Sequence, residues 1–255
     1  MLAFSGQAML LDIEGTVAPI QYVFDVMFPF ARREVRPFLA ERLERPDRPE
    51  TAVLEAAKQI AVDAGFPDLD ALVAKERETS PDVDPAEAIA REVERQMDAD
   101  RKWTGLKTLQ GMIWNAGFDS GELIAQVFDE VPEVLRDWKH EDRDVRIYSS
   151  GSVAAQKAFF GHTQAGNLLP TLRGHFDTTV GSKKEARSYL RIAEAMEYDP
   201  YEILFVSDVP AELKAAEEAG LATAFAVRPG NPKYGGDETY GLRRITSLRD
   251  IDWSA

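Results

Sequence analysis

The sequence contains no cysteine, which excludes disulfides and any thiolate metal site and fits a reducing cytoplasm. No apolar run approaches the roughly 18 residues a membrane helix needs, and the short run Met9 to Ile13 has neither the basic start nor the length of a signal peptide. Positive charge is scarce. Lys and Arg total 30 against 44 Asp and Glu, a formal charge of -14, which disfavours attraction to a nucleic-acid backbone or an anionic bilayer. A phosphorylated metabolite meets the same repulsion unless a local cation and a metal reverse the field inside a small pocket. The expectation is a soluble cytoplasmic protein with no nucleic-acid or membrane partner. No internal repeat is present.

The 255 residues, 44% hydrophobic, suffice for one good-sized core or a core with a smaller module attached. Four short apolar runs read as buried strands: Ala8 to Ile13, Val145 to Ser149, Ile203 to Ser207 and Thr223 to Val227. Helical stretches separate most of them, which predicts an α/β protein with a mainly parallel sheet. Ser152 is placed to cap a helix from Val153 to Phe160. Ser182 with Glu185 reads as a capping box for a helix through Met196, with Tyr189, Ile192, Ala193 and Met196 on its apolar face. Pro210 starts a further helix that Gly220 can stop.

Residues 24–128 contain no convincing strand. Charged amphipathic stretches, Ala52 to Ala64 and Pro85 to Ala99, precede a stripe of Leu106, Leu109, Ile113 and Trp114 at helical spacing. The mixed-sign segment Glu41 to Glu50 reads as a solvated turn. The chain is thus expected to hold a helical module at 24–128, inserted after the first strand of an α/β core made of 1–23 and 129–255. Phe24, Phe28, Trp103, Met112 and Trp114 are expected mostly to pack inside that module.

In open α/β sheets, ligands bind beyond the carboxyl ends of the strands. Polar residues collect there: Asp12 and Glu14, Ser149 and Ser150, Lys183, and Asp208. Asp12 interrupts an apolar run, where an unpaired carboxylate is costly. With Asp208 it could hold Mg²⁺, which prefers oxygen ligands and keeps several waters, although an Asp at a strand end is equally often a turn or helix cap. Glu14 lies two residues on, across a turn that Gly15 allows to close, and Thr16 can donate to a phosphate or brace the loop. This suits Asp12 as a nucleophile at phosphorus and Glu14 as the acid and base. Ser149, Ser150 and Gly151 can receive an anion, or can simply form a loop and cap. Lys183, expected in the first turn of a helix where a cation is disfavoured, calls for a negative partner. A phosphoryl oxygen or Asp12 would serve.

The string LLDIEGT (Leu10 to Thr16) resembles the first motif of haloacid-dehalogenase-like hydrolases, in the DxEGT form of the enolase-phosphatases of methionine salvage. The resemblance continues through IYSSGS (Ile147 to Ser152), AQKAFFGH (Ala155 to His162), FDTTVGSK (Phe176 to Lys183), SYLRIA (Ser188 to Ala193), FVSDVPAELKAAEEAG (Phe205 to Gly220) and RPGN (Arg228 to Asn231). In the helical segment, DRKWTGLKTLQGMIW (Asp100 to Trp114) is similar to the family's cap. It implies a Rossmann-like core with an inserted all-helical cap, usually a monomer, with one Mg²⁺ per subunit. The implied reaction converts 2,3-diketo-5-methylthiopentyl-1-phosphate through its enol phosphate to 1,2-dihydroxy-3-keto-5-methylthiopentene and phosphate, by way of an aspartyl-phosphate. By matching positions, Asp12 is the nucleophile and a metal ligand, Glu14 the acid/base with its carbonyl on the metal, and Asp208 the third metal contact. Ser149 and Ser150 match the substrate-binding pair and Lys183 the phosphate-contacting lysine.

Two departures stand out. The chain reads EGTVAPI where many relatives read EGTTTPI, so Val17 and Ala18 replace hydroxyl residues, a change best assigned to local packing. Lys184 stands where an apolar residue is common and is expected to face solvent. The base for enolisation is left open between Glu14 and a cap residue. His162 is expected to cap a helix rather than do chemistry, and His140 and His175 are less specific still. The rival expectations are a related phosphatase acting on another monoester and a scaffold that keeps the fold without turnover.

Overall fold

The computed structural model describes residues 1–43, 50–101, 103–239 and 241–253. The segment Glu41 to Glu50, expected as a solvated turn, lies mostly outside the described residues. The strands are β1 (Leu2–Ala3), β2 (Ala8–Leu11), β3 (Asp144–Tyr148), β4 (Gly174–Phe176), β5 (Ile203–Ser207), β6 (Ala222–Ala226), β7 (Arg244–Ile245) and β8 (Ile251–Asp252). Six form one sheet in the order β4-β3-β2-β5-β6-β7, and every neighbouring pair is parallel. The strands β1 and β8 pair separately, also in parallel.

The central strands β2 and β5 are buried at every residue. Strands covered on both faces have no reason to alternate, so they read as unbroken apolar runs. All four runs expected as strands are present, shifted by no more than a residue or two at their ends. The edge strands β4 and β7 were not foreseen. They are short, and β4 is only half-buried, so neither carries the apolar run that betrays a central strand.

The helices are α1 (Ile20–Tyr22), followed by a π-helical turn (Val23–Met27), then α2 (Phe28–Leu43), α3 (Thr51–Asp63), α4 (Leu69–Arg77), α5 (Pro85–Asp98), α6 (Thr104–Ser120), α7 (Val131–His140), α8 (Val153–Gly161), α9 (Ala186–Met196), α10 (Pro210–Glu218) and α11 (Gly236–Thr239). Among the described residues no helix is long and apolar enough to cross a membrane.

Two compact units result, Met1–Asp25 with Gly121–Ala255, and Val26–Ser120. The second is all-helical among its described residues. Asp68 and Asp84 cap α4 and α5 by accepting from the main-chain N–H of Ala71 and Glu87. Leu106, Leu109 and Ile113 form a buried stripe on α6. Beside it, Trp114 Nε1 donates to the Met27 carbonyl across 2.8 Å. Phe24 falls in the other unit and, against expectation, is 60% exposed, because it sits on the π-helical turn rather than on a packed stripe.

In the α/β unit, Ser152 caps α8 by accepting from Ala155 N–H at 3.2 Å, and Pro210 opens α10. The expected capping box at Ser182 and Glu185 does not form. The helix begins later, at Ala186, and Glu185 provides no side-chain cap. Residues 182–185 instead make a separate turn, closed by Glu185 N–H to Ser182 O, and Tyr189 Oη takes the Lys183 carbonyl at 2.6 Å. Lys183 is therefore a loop residue and escapes the unfavourable helix-end position. Lys184 is exposed, as expected.

Candidate active site

The order of the sheet decides where the polar groups meet. β2 lies between β3 and β5, with Leu11 level with Ile147 on one side and Val206 on the other. Asp12, Ser149 and Asp208 thus leave the carboxyl ends of three adjacent strands, at the point where the chain switches sides of its first long strand. That is where doubly wound sheets open a binding crevice.

Asp12 is buried, with its main-chain N–H on Val206 O. Its Oδ1 accepts from Ile13 N–H at 2.8 Å and stands 2.6 Å from Lys183 Nζ. Its Oδ2 takes one longer bond, from Ser207 Oγ at 3.4 Å. Lys183 is equally close to a second carboxylate, Glu212 Oε2, at 2.7 Å. Burial alone would lower the ammonium's pKa, but Asp12 and Glu212 together raise it above the ordinary lysine value. The ammonium also lies 5.7 Å from the Tyr148 ring centroid and 5.8 Å from that of Phe205, so aromatic faces complete its surroundings.

Glu14 is pushed up to about 7, by burial first and then by the charge of Asp12. Ser149 Oγ donates to its Oε2 at 3.4 Å and accepts from Gly151 N–H at 3.1 Å. Asp208 also rises to about 7, through burial and the charges of Asp12 and Glu212. Gly15 has φ of +73° and packs so closely that a Cβ would lie 2.3 Å from Asp208 Oδ2. Only glycine meets both conditions. Thr16 Oγ1 is buried with no hydrogen-bond partner among the described residues. Ser150 follows Ser149 but is exposed.

Four carboxyl groups, Asp12, Glu14, Asp208 and Glu212, thus share the field of one ammonium, which is in contact with Asp12 and Glu212. At two of them, Glu14 and Asp208, burial and the charge of Asp12 outweigh the pull of the Lys183 ammonium and hold the carboxyl near neutrality. Such a set of hard oxygen donors fits a divalent cation. Among the described residues no three acidic or histidine side chains converge as a ready-made cage.

A family model for haloacid dehalogenase-like hydrolases matches residues 7–220. Enolase-phosphatase E1 of Aquifex aeolicus is 41% identical over 96% of this chain and 99% of its own. The Drosophila melanogaster enolase-phosphatase E1 is 40% identical over 96% of this chain and 92% of its own. The chain belongs to the enolase-phosphatase family of haloacid dehalogenase-like hydrolases. The crystal structure of the UTR4 protein of Saccharomyces cerevisiae superposes with a TM-score of 0.75 at 30% identity, over 96% of this chain and 99% of that one. The fold of this enolase-phosphatase is accordingly the expected Rossmann-like one.

Of the site residues singled out from the sequence, Asp12 contacts Lys183, Ser149 contacts Glu14, and Asp208 lies close against Gly15, whereas Ser150 is exposed. Glu212 was missed: a glutamate on the charged helix α10 looks like surface, and its burial follows only from the packing of α10 against β5 and β6. Tyr189 was read as core, which it is, but its hydroxyl also fixes Lys183. Val17 and Ala18 are buried in apolar packing. His162 is the C-cap of α8, with Nδ1 2.9 Å from Ala158 O.

Proposed function

We propose that this enzyme converts 2,3-diketo-5-methylthiopentyl-1-phosphate, through its enol phosphate, to 1,2-dihydroxy-3-keto-5-methylthiopentene and phosphate. The observation that carries the residue roles is the contact of Lys183 with Asp12, beside a Glu14 held near neutrality. Asp12 attacks phosphorus, the bond from phosphorus to the ester oxygen breaks, and Glu14 delivers its proton to that oxygen. Glu14, then ionised, takes a proton from the water that cleaves the aspartyl-phosphate. Lys183 balances the charge gathering on the phosphoryl oxygens and is itself kept in place by Glu212. Ser149, with Ser150 next to it, orients the substrate.

Enolisation removes a proton from a carbon next to a ketone. Glu14, with a pKa of about 7, is suited to that step too, because a base near the working pH is both ionised and strong enough. Asp12, Asp208 and the Glu14 carbonyl would hold one Mg²⁺. When bound, it polarises oxygen and offsets negative charge on the phosphoryl group. All these residues come from one compact unit of one chain, which supports action as a monomer. The cysteine-free composition supports a cytoplasmic setting.

The test is an anaerobic assay with the diketo phosphate and Mg²⁺ that follows enol absorbance and released phosphate together. An enol signal followed by phosphate, both abolished by a chelator, upholds the proposal. Phosphate released only from unrelated monoesters overturns the substrate assignment.

A further inference from the structure

Behind the loop that carries Asp12 and Glu14 lies a group of buried contacts that the chemistry above does not use. Three successive carbonyls of this loop are each held from a distant part of the chain. Asn231 Nδ2 donates to Gly15 O at 2.8 Å, Arg228 Nε donates to Thr16 O at 3.0 Å, and Phe128 N–H donates to Val17 O at 3.0 Å. The holders are themselves fixed. Arg228 is buried, pairs with Glu130 Oε1 at 2.7 Å, donates to Thr246 O at 2.6 Å and lies 4.6 Å from the Phe128 ring centroid. Asn231 Nδ2 also reaches Ala226 O, at the end of β6, at 3.3 Å.

Any buried carbonyl needs a partner; what sets these apart is where they lie. Here the tied residues adjoin Glu14, and Gly15 is the residue pressed against Asp208. The same built Cβ that would meet Asp208 Oδ2 would lie 3.0 Å from Asn231 Oδ1. That amide oxygen is buried and has no hydrogen-bond partner among the described residues. Asn231 therefore places a donor on the loop and an unused acceptor beside the Asp208 carboxylate.

We propose that Arg228 and Asn231 are positioning residues for the reaction: they hold the Gly15 and Thr16 carbonyls from behind and so fix where Glu14 and the oxygen donors at Asp208 stand. The inference rests on the proposed function for its kinetic arm only. Such supporting partners commonly affect cation affinity and turnover, while leaving the rest of the fold intact.

The test uses the full-length Asn231→Ala and Arg228→Lys variants. Asn231 is chosen because it is only partly buried and its loss should spare the fold, as circular dichroism and melting will show. Calorimetric titration with Mg²⁺ alone should show Asn231→Ala binding about 10-fold more weakly. Turnover of the diketo phosphate should fall by about 10-fold in kcat, with KM changed less than about 3-fold, because ground-state contacts are untouched. The two variants combined should be non-additive in Mg²⁺ affinity, since both act on one loop. Wild-type Mg²⁺ affinity and kcat in a folded Asn231→Ala protein would overturn the inference, as would a loss confined to melting temperature. If the wild-type protein binds Mg²⁺ but leaves the diketo phosphate unchanged, the substrate assignment fails while the Mg²⁺ titration still decides the positioning role.

Discussion

Tyr189 donates its hydroxyl to the main-chain carbonyl of Lys183 across 2.6 Å, from a side chain otherwise packed in the apolar core. Its ring lies 5.1 Å from Phe205 and 5.6 Å from Tyr148, the two rings that face the Lys183 ammonium. Core packing and the placement of the charged group are thus one structure. Removing the hydroxyl in Tyr189→Phe leaves a buried carbonyl unpaired, at a cost of about 1–3 kcal/mol. Denaturant unfolding should show that loss, and kcat should fall more than KM rises. Unchanged kinetics with reduced stability would confine Tyr189 to packing.

Glu212 gives Lys183 its second carboxylate. In Glu212→Gln the ammonium keeps Asp12 but loses its second charge partner. Turnover should fall by about 10-fold, because Lys183 is freed from one of its two anchors. Steady-state kinetics on the purified variant checks this, and an unchanged kcat would show that Asp12 alone positions the lysine.

The ionisation of Glu14 and Asp208 makes the metal-free protein sensitive to pH. Their ordinary values of 4.5 and 3.8 rise to about 7 in the fold. Both bind a proton more tightly folded than unfolded. Their contribution to stability is therefore fully present below the unfolded values and is lost as pH rises through about 7. A bound cation removes that loss. The rise in melting temperature on adding Mg²⁺ should be larger at about pH 8 than at about pH 5, since protons compete with the cation for the Asp208 carboxylate, whose pKa is raised to about 7. An equal rise at both would mean the cation does not meet this carboxylate.

His175, away from the site, shows the opposite sign. Burial first, and the nearby Lys157 charge second, press its pKa from 6.5 down to about 4. The stability it contributes is present above 6.5 and is lost as pH falls toward 4. His175→Gln should flatten that part of the acid-unfolding curve and leave turnover at neutral pH alone. Melting curves over the acid range check the expectation, and an unaltered slope would contradict it.

What could be read in the sequence, and what could not, follows from how each residue reports its surroundings. The runs at β2, β3, β5 and β6 announce themselves because both faces are covered, whereas β4 and β7 at the edges carry no such pattern. Asp12 and Asp208 were legible because a carboxylate at the end of an apolar strand is out of place. Glu212 was not, because a glutamate on a charged helix is ordinary until the helix is packed. Lys183 was expected to need a negative partner, which Asp12 supplies, but it was placed in the wrong local structure: Ser182 and Glu185 have the spacing of a capping box, yet the bond from Tyr189 to the Lys183 carbonyl favours a separate turn. The ties from Arg228 and Asn231 to the Asp12 loop span more than two hundred residues, beyond the reach of local pattern.

Acid quenching during turnover tests most directly whether Asp12 carries the phosphoryl group. Mass analysis of the peptide containing Asp12, taken while the diketo phosphate is being consumed with Mg²⁺ present, should show a phosphoryl adduct on Asp12. Asp12→Asn, still folded, should show neither adduct nor phosphate release. Steady phosphate release by the folded Asp12→Asn protein would contradict the account.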